Sequence, residues 1–245
     1  MYWQSFEKKI VVGGVKWPYP GAKHMVDEIL FGIKLPQVDL TWKGYEKCQK
    51  LWQGCTDWLA QHDGRVWKTQ DTLITPEILT KIWREKALEI CFQPSRLHVS
   101  LEFSDGTRTE WIDRPELCRL YKTVRIQCVH RHHNPDLTWE ENKKLYYNCA
   151  YLHGHDYLVK VGLQGQVGQF GSLIDHTEFE RILNMVIVEP FNFQFLNEKM
   201  GNTSGELIGE KFFSLLKDHF RSPQLYEVVV QETPKNTFYY QMDSI

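Results

Sequence analysis

Three histidines, His130, His153 and His155, are the residues of this 245-residue sequence whose type and spacing point most directly to chemistry. His153 and His155 stand at i and i+2. On an extended segment such a pair projects from one face, and the intervening Gly154 lets a neighbouring backbone approach closely. His130 ends an alternating run in which Val124, Ile126, Cys128 and His130 share one face, with Arg125 and Gln127 on the other. If the strand ending at His130 lies beside the one starting at His153, three imidazoles converge on one ion at about 2.0–2.1 Å. A fourth tetrahedral position then stays open, as at a catalytic rather than a structural zinc. Taken alone, an H-x-H pair also reads as two surface histidines.

The elements that must position this trio follow from patterning. A strand from Asp156 to Gln164 continues beyond the paired histidines. Asp175 with Glu178 forms a capping-box-like start to a helix whose stripe is Phe179, Ile182, Leu183, Val186 and Ile187, stopping at Pro190. Thr203 and Glu206 repeat that capping pattern ahead of Leu207, Ile208, Phe212, Leu215 and Leu216. Leu225 to Glu232 and Asn236 to Met242 read as a closing hairpin around Thr233-Pro234-Lys235. The order is β-β-α-α-β-β.

The first half has a different composition. Eight of the nine tryptophans precede residue 120, whereas six of the ten histidines lie between His130 and His176. A break at Asp113-Arg114-Pro115-Glu116 separates a Trp-rich mixed α/β unit, residues 1–118, from residues 119–245. Within the first unit, Lys9 to Trp17 has the form of a hairpin around Gly13-Gly14. Lys43 to Ala60 reads as a helix, and a second helix starts at Thr75-Pro76-Glu77 with Ile78, Leu79, Ile82, Trp83 and Leu88 as its stripe. Leu97 to Phe103 and Thr107 to Ile112 form a hairpin about Asp105-Gly106. No recognisable catalytic motif falls here: His24, His62 and His98 are isolated, and Cys48 and Cys55 lack a usual metal-ligand spacing. The tryptophans read as core or as a stacking surface, and basic residues do not cluster among them.

A formal net charge of -2 gives no bulk attraction for nucleic acid or anionic lipid. No apolar run reaches the roughly 20 residues of a membrane span and no leader pattern opens the chain. With six cysteines scattered rather than dense, a cytoplasmic protein with mostly free thiols is expected.

From about Lys122 to Tyr240 the sequence resembles the 6-pyruvoyltetrahydropterin synthase and 6-carboxytetrahydropterin synthase family, built on the T-fold. The resemblance is carried by His130, by Cys149-x-x-x-His153-Gly154-His155, by Leu173-Ile174-Asp175, by Thr203 to Glu206, and by Val230-Gln231-Glu232-Thr233. The step from Cys149 to His153 is similar to the bacterial carboxy type of the 7-deazaguanine (queuosine) pathway. The resemblance implies an α+β architecture, zinc on His130, His153 and His155, and a pterin-like small-molecule substrate such as 7,8-dihydroneopterin triphosphate. It also implies Cys149 as acid/base, Glu232 with Thr203 and Glu206 as substrate-binding residues, and a homo-oligomer joined through its sheets. Glu232, ending the apolar run Val228-Val229-Val230, can accept two parallel hydrogen bonds from a pterin edge. Without the family context it reads as a solvent-facing carboxylate, and Cys149 as a spectator thiol. One segment departs from the family pattern. Where the family has Pro-Leu-Asp-His, its Asp-His pair relaying protons with the cysteine, this chain has Pro190-Phe191-Asn192-Phe193, neither of whose last two residues titrates usefully. His132, His133 and His176 are the imidazoles available as substitutes. A non-catalytic or repurposed module binding a pterin or deazapurine is the alternative.

Overall fold

The computed structural model describes residues 3–15, 25–36, 42–66, 75–90, 97–112, 117–169 and 171–241. Its contacts divide the chain into one unit of Met1–Tyr121 with Gln164–Thr177, and a second of Lys122–Leu163 with Glu178–Ile245. The break expected at residues 113–116 lies outside the described residues, as does His24.

In the first unit the elements are β1 (Trp3–Val15), β2 (Met25–Pro36), α1 (Trp42–Ala60), the short β3 (Arg65–Val66), α2 (Pro76–Ile90), β4 (His98–Glu102) and β5 (Arg108–Ile112). Strands neighbour one another in the order β3-β1-β2-β4-β5. All these pairs are antiparallel except β1 with β3. The hairpin expected around Gly13-Gly14 does not form. That dipeptide lies inside β1, where the register against β2 shifts between Gly13 and Val15. A bulge uses glycine's freedom as readily as a turn does, so the dipeptide alone does not distinguish them.

Helix α2 starts as its sequence dictates. Thr75 Oγ1 accepts the Ile78 N–H at 3.2 Å, and Pro76 takes the first turn, where a missing N–H costs nothing. Its buried row of Leu79, Trp83 and Ala87 recurs every four residues and faces the sheet. Trp83 is fully buried, packs edge-on to Phe31 at 5.4 Å and donates its indole N–H to the Gly32 carbonyl at 3.1 Å. Together with the buried Trp111, this places those two indoles in the core rather than on a stacking surface.

The second unit contains most of β6 (Cys118–His130) and β7 (His153–Gly165), then α7 (Gly205–Leu216), β8 (Gln224–Thr233) and β9 (Asn236–Gln241). Its strands neighbour in sequence order, β6-β7-β8-β9. Between β6 and β7 lie α3 (Trp139–Tyr146) and a 3-10 turn at Tyr147–Ala150. Thr138 and Glu141 close a capping box at the start of α3. Helix α4 (His176–Leu183) runs through a π-helical turn at Asn184–Val188 into α5 (Glu189–Phe191), and α6 (Leu196–Met200) follows. Pro190 therefore sits within the helical path, in the first turn after the π turn, where its missing N–H is tolerated.

The core is read off alternate residues. Tyr157, Val159, Val161 and Leu163 on β7, Ile126 and Cys128 on β6, and Val228 and Val230 on β8 are buried, and α7 contributes Ile208, Phe212, Phe213 and Leu216. The inner rows of three strands thus run on into His155 and His153, His130, and Glu232.

Candidate metal centre

His130, at the end of the inner row of β6, is fully buried. Its Nδ1 lies 3.2 Å from both the carbonyl and the hydroxyl oxygen of Thr203. The Thr203 hydroxyl donates to the Arg131 carbonyl at 3.2 Å, so both Thr203 oxygens act as acceptors and Nδ1 carries the proton. Nε2 is then left with its lone pair. His153 is fixed the same way, its Nδ1 2.8 Å from the Tyr151 carbonyl. The ligating atoms of His130, His153 and His155 lie within 4.8 Å of one another, and ring centroids are separated by 4.5, 5.2 and 4.9 Å.

Electrostatics keep His130 and His155 available as ligands. Burial and then the neighbouring His153 push the His130 imidazolium down to about 4, because a second positive charge there is neither solvated nor paired. Burial also lowers His155, against the pull of Glu232. Three imidazoles, two with Nδ1 committed to backbone carbonyls, form a donor set that fits a borderline cation such as zinc.

Glu232 brings its Oε1 to 3.4 Å from His130 Nε2 and 3.6 Å from His155 Nε2. The fully buried Tyr157 donates its hydroxyl to that oxygen at 3.3 Å. Burial and the Glu232 charge hold the Tyr157 phenol well above its ordinary value, keeping it neutral. Tyr157 went unnoticed in the sequence, though extending the i, i+2 row of His153 and His155 by one step reaches it.

The other expected residues divide. Thr203 is buried against His130 and does not cap α7. That helix begins at Gly205 after Ser204, with no side-chain cap, because the Thr203 hydroxyl is already committed to Arg131. Glu206 lies exposed in the first turn of α7, outside the metal-ligating groups. Cys149 is an exposed free thiol, and its carbonyl accepts the His132 N–H at 2.7 Å. Of the three substitute imidazoles, His132 joins the site: its ligating nitrogen, that of His130 and a Glu232 oxygen lie within 4.8 Å of one another. His176 does not, because its Nε2 lies 3.1 Å from the buried Glu77. His133 falls outside both groups as well. A β-carbon on Gly154 would meet the Cys128 carbonyl at 3.4 Å and Val129 Cγ1 at 3.5 Å, which is ordinary contact. Glycine is thus not obligatory between the histidines.

The family model of 6-pyruvoyl tetrahydropterin synthase matches residues 119–243, just over half of the chain. The chain belongs to this family. A 6-pyruvoyl tetrahydrobiopterin synthase of Dictyostelium discoideum is 31% identical over 121 residues, covering 45% of this chain and 86% of that protein. A putative 6-pyruvoyl tetrahydrobiopterin synthase of Caenorhabditis elegans is 32% identical over 135 residues, covering 52% of this chain and 96% of that protein. The solved structure of Caenorhabditis elegans 6-pyruvoyl tetrahydropterin synthase is 27% identical, with 52% of this chain and 96% of that chain covered at a TM-score of 0.48. The sheet order β6-β7-β8-β9 with the helices between β7 and β8 is the T-fold of this family.

Against the family pattern, Asn192 and Phe193 are fixed to β6. Asn192 Oδ1 accepts the Gln127 N–H at 2.8 Å, and Phe193 donates its own N–H to the Gln127 carbonyl at 2.6 Å. Phe193 adopts φ 58° and is 75% exposed, a conformation that is uncommon for a bulky side chain. Beside it, Gln127, Cys128, Val129, Gly154, Asp156 and Gln194 line a cleft of about 500 Å³.

Proposed function

We propose that this protein is a zinc-dependent lyase of the pterin synthase type, acting on 7,8-dihydroneopterin triphosphate or a related pterin. The observation that carries the proposal is the convergence of three imidazoles, two with Nδ1 committed to backbone carbonyls, beside the Glu232 carboxylate. Family membership supports the pterin class. His130, His153 and His155 hold the metal, which when bound supplies Lewis-acid polarisation of the substrate's side-chain oxygens. Glu232 accepts the 2-amino and N3–H edge of the ring through paired hydrogen bonds, fixing its orientation. Cys149 exchanges protons with the side chain, its exposed thiol being free to do so. Thr203 holds His130 in register as well as lying at the substrate pocket, and Glu206 completes the substrate-binding set. The reading extends to two domains, 1–118 and 119–245, to a homo-oligomer joined through T-fold sheets, to the queuosine branch of the family, and to a cytoplasmic location. Among the described residues no helix is long and apolar enough to cross a membrane.

The test is direct. Metal-loaded protein incubated with 7,8-dihydroneopterin triphosphate consumes it, as followed by chromatography, and the product identifies the branch; no consumption sinks the lyase. Light scattering on the same sample tests the oligomer, which a monomeric mass contradicts.

A second reading, a repurposed binding module, is favoured by Asn192 and Phe193, which serve as backbone brackets where the family has a proton relay. Calorimetry with neopterin separates the two, since binding without turnover supports the module. The double change Asn192→Asp with Phe193→His keeps an acceptor for the Gln127 N–H and restores the relay. Gain of turnover in that variant assigns the loss to the relay alone.

A further inference from the structure

We infer a second seat for a divalent cation, made by His130, His132 and Glu232 and overlapping the three-histidine centre at His130. The ligating atoms of these three residues lie within 4.8 Å of one another. The seat needs neither His153 nor His155, so it goes beyond the metal centre proposed above. Two imidazoles with one carboxylate are an established donor set for zinc, as three imidazoles are, and both leave a position for a further ligand.

Each of the three side chains is held in place. His130 and His132 stand at i and i+2, and the residue between them is pinned on both sides: Asn197 accepts the Arg131 N–H and donates to the Arg131 carbonyl, each at 2.9 Å. His132 lies beyond the end of β6, where its N–H reaches the Cys149 carbonyl at 2.7 Å and its ring packs on Tyr146 with centroids 5.5 Å apart. On β8, Glu232 turns Oε1 toward His130 Nε2 at 3.4 Å, while Oε2 accepts from the Asn236 amide at 3.5 Å. Outer contacts of this kind orient the ligands of a metal site.

Proton placement calls for a cation at this point. His130 carries its proton on Nδ1, toward Thr203, so its Nε2 lone pair faces the lone pairs of Glu232 Oε1. Two acceptors in a buried place repel unless something positive lies between them. The Tyr157 hydroxyl, 3.2 Å from Nε2 and 3.3 Å from Oε1, has one proton and can satisfy only one of the two. A cation on His130, His132 and Glu232 satisfies both and leaves that proton for the carboxylate. Nε2 has a single lone pair, so His130 serves one seat at a time. The chain therefore holds one ion, shared between the His153–His155 side and the His132–Glu232 side. On the pterin reading above, a ring held by Glu232 takes that carboxylate from the second seat and confines the ion to the three histidines.

The test removes the first seat. The full chain carrying His153→Ala with His155→Ala, checked for folding by circular dichroism, is titrated with zinc by calorimetry and with cobalt(II) by absorption. It is expected still to bind one ion per chain. Adding His132→Ala or Glu232→Gln is expected to weaken that binding at least ~10-fold, the loss that even outer-shell changes bring, and saturating neopterin weakens it as well. A wild type that binds while the double variant does not overturns the second seat and leaves the three-histidine centre standing. Binding in the double variant that ignores both His132→Ala and Glu232→Gln also overturns it. No effect of neopterin overturns the competition for Glu232, and two ions per wild-type chain overturn the sharing of His130. A wild type that binds neither metal overturns both seats. If the double variant does not fold, His153→Ala alone, which leaves only the second seat with three ligands, is read in the same way.

Discussion

Protonation of His130 couples the pH of the solution to the stability of the metal-free protein. Its imidazolium lies at about 4 in the folded chain against an ordinary 6.5, so between those values the unfolded chain binds a proton that the folded chain refuses. The stabilisation is complete above pH 6.5 and is lost as pH falls toward 4, on the order of 3 kcal/mol for this residue. The lowered His155 acts in the same direction. Urea denaturation of chelator-treated protein at pH 7, 5.5 and 4.5 is expected to give falling midpoints. A flat profile would show that His130 is solvated. Asn192 makes a second residue-scale prediction. Asn192→Ala removes the acceptor for the Gln127 N–H and is expected to cost about 1 kcal/mol, whereas Asn192→Asp keeps it and is close to neutral by the same measurement.

The elements are where local sequence signals and packing disagree. Thr203 and Glu206 have the spacing of a capping box, yet the box forms instead at Thr138 and Glu141. The difference is the environment of the threonine: Thr138 has its hydroxyl free for the helix, while Thr203 is drawn to the Arg131 carbonyl by the chain that supports His130. The start of α7 is also set by packing against β9. A β-carbon on Gly205 would fall 2.0 Å from Phe238 Cδ2, inside any tolerable contact. Gly205→Ala, which ordinarily favours a helix, is therefore expected to destabilise by about 2 kcal/mol, read as a lower thermal midpoint. A variant as stable as the wild type would mean that Phe238 moves aside freely.

For the molecule as a whole, metal binding and folding are linked, because ligands gathered from β6 and β7 come together only in the folded chain. Zinc at a hundredfold excess over its dissociation constant is expected to add about 2.7 kcal/mol, or roughly 5–10 °C in the thermal midpoint for a chain of this size. Chelation reverses it, and an unchanged midpoint argues against a bound metal. Sequence pattern made an element order visible only in the second unit, where caps and apolar stripes are regular; the first runs β1-β2-α1-β3-α2-β4-β5. In the first, the Gly13-Gly14 bulge imitated a turn. The sequence by itself determined the histidine trio, the rows of core residues and the family, since these depend on side-chain alternation and ordered motifs that survive without coordinates. Tertiary structure alone decided that His132 joins the site while His176 pairs with Glu77, that Tyr157 donates its hydroxyl to Glu232 beside the imidazoles, and that Thr203 supports His130 rather than capping α7. The pairs Thr203–His130, Tyr157–Glu232 and His176–Glu77 lie 73, 75 and 99 positions apart, and local pattern carries no record of which distant groups meet.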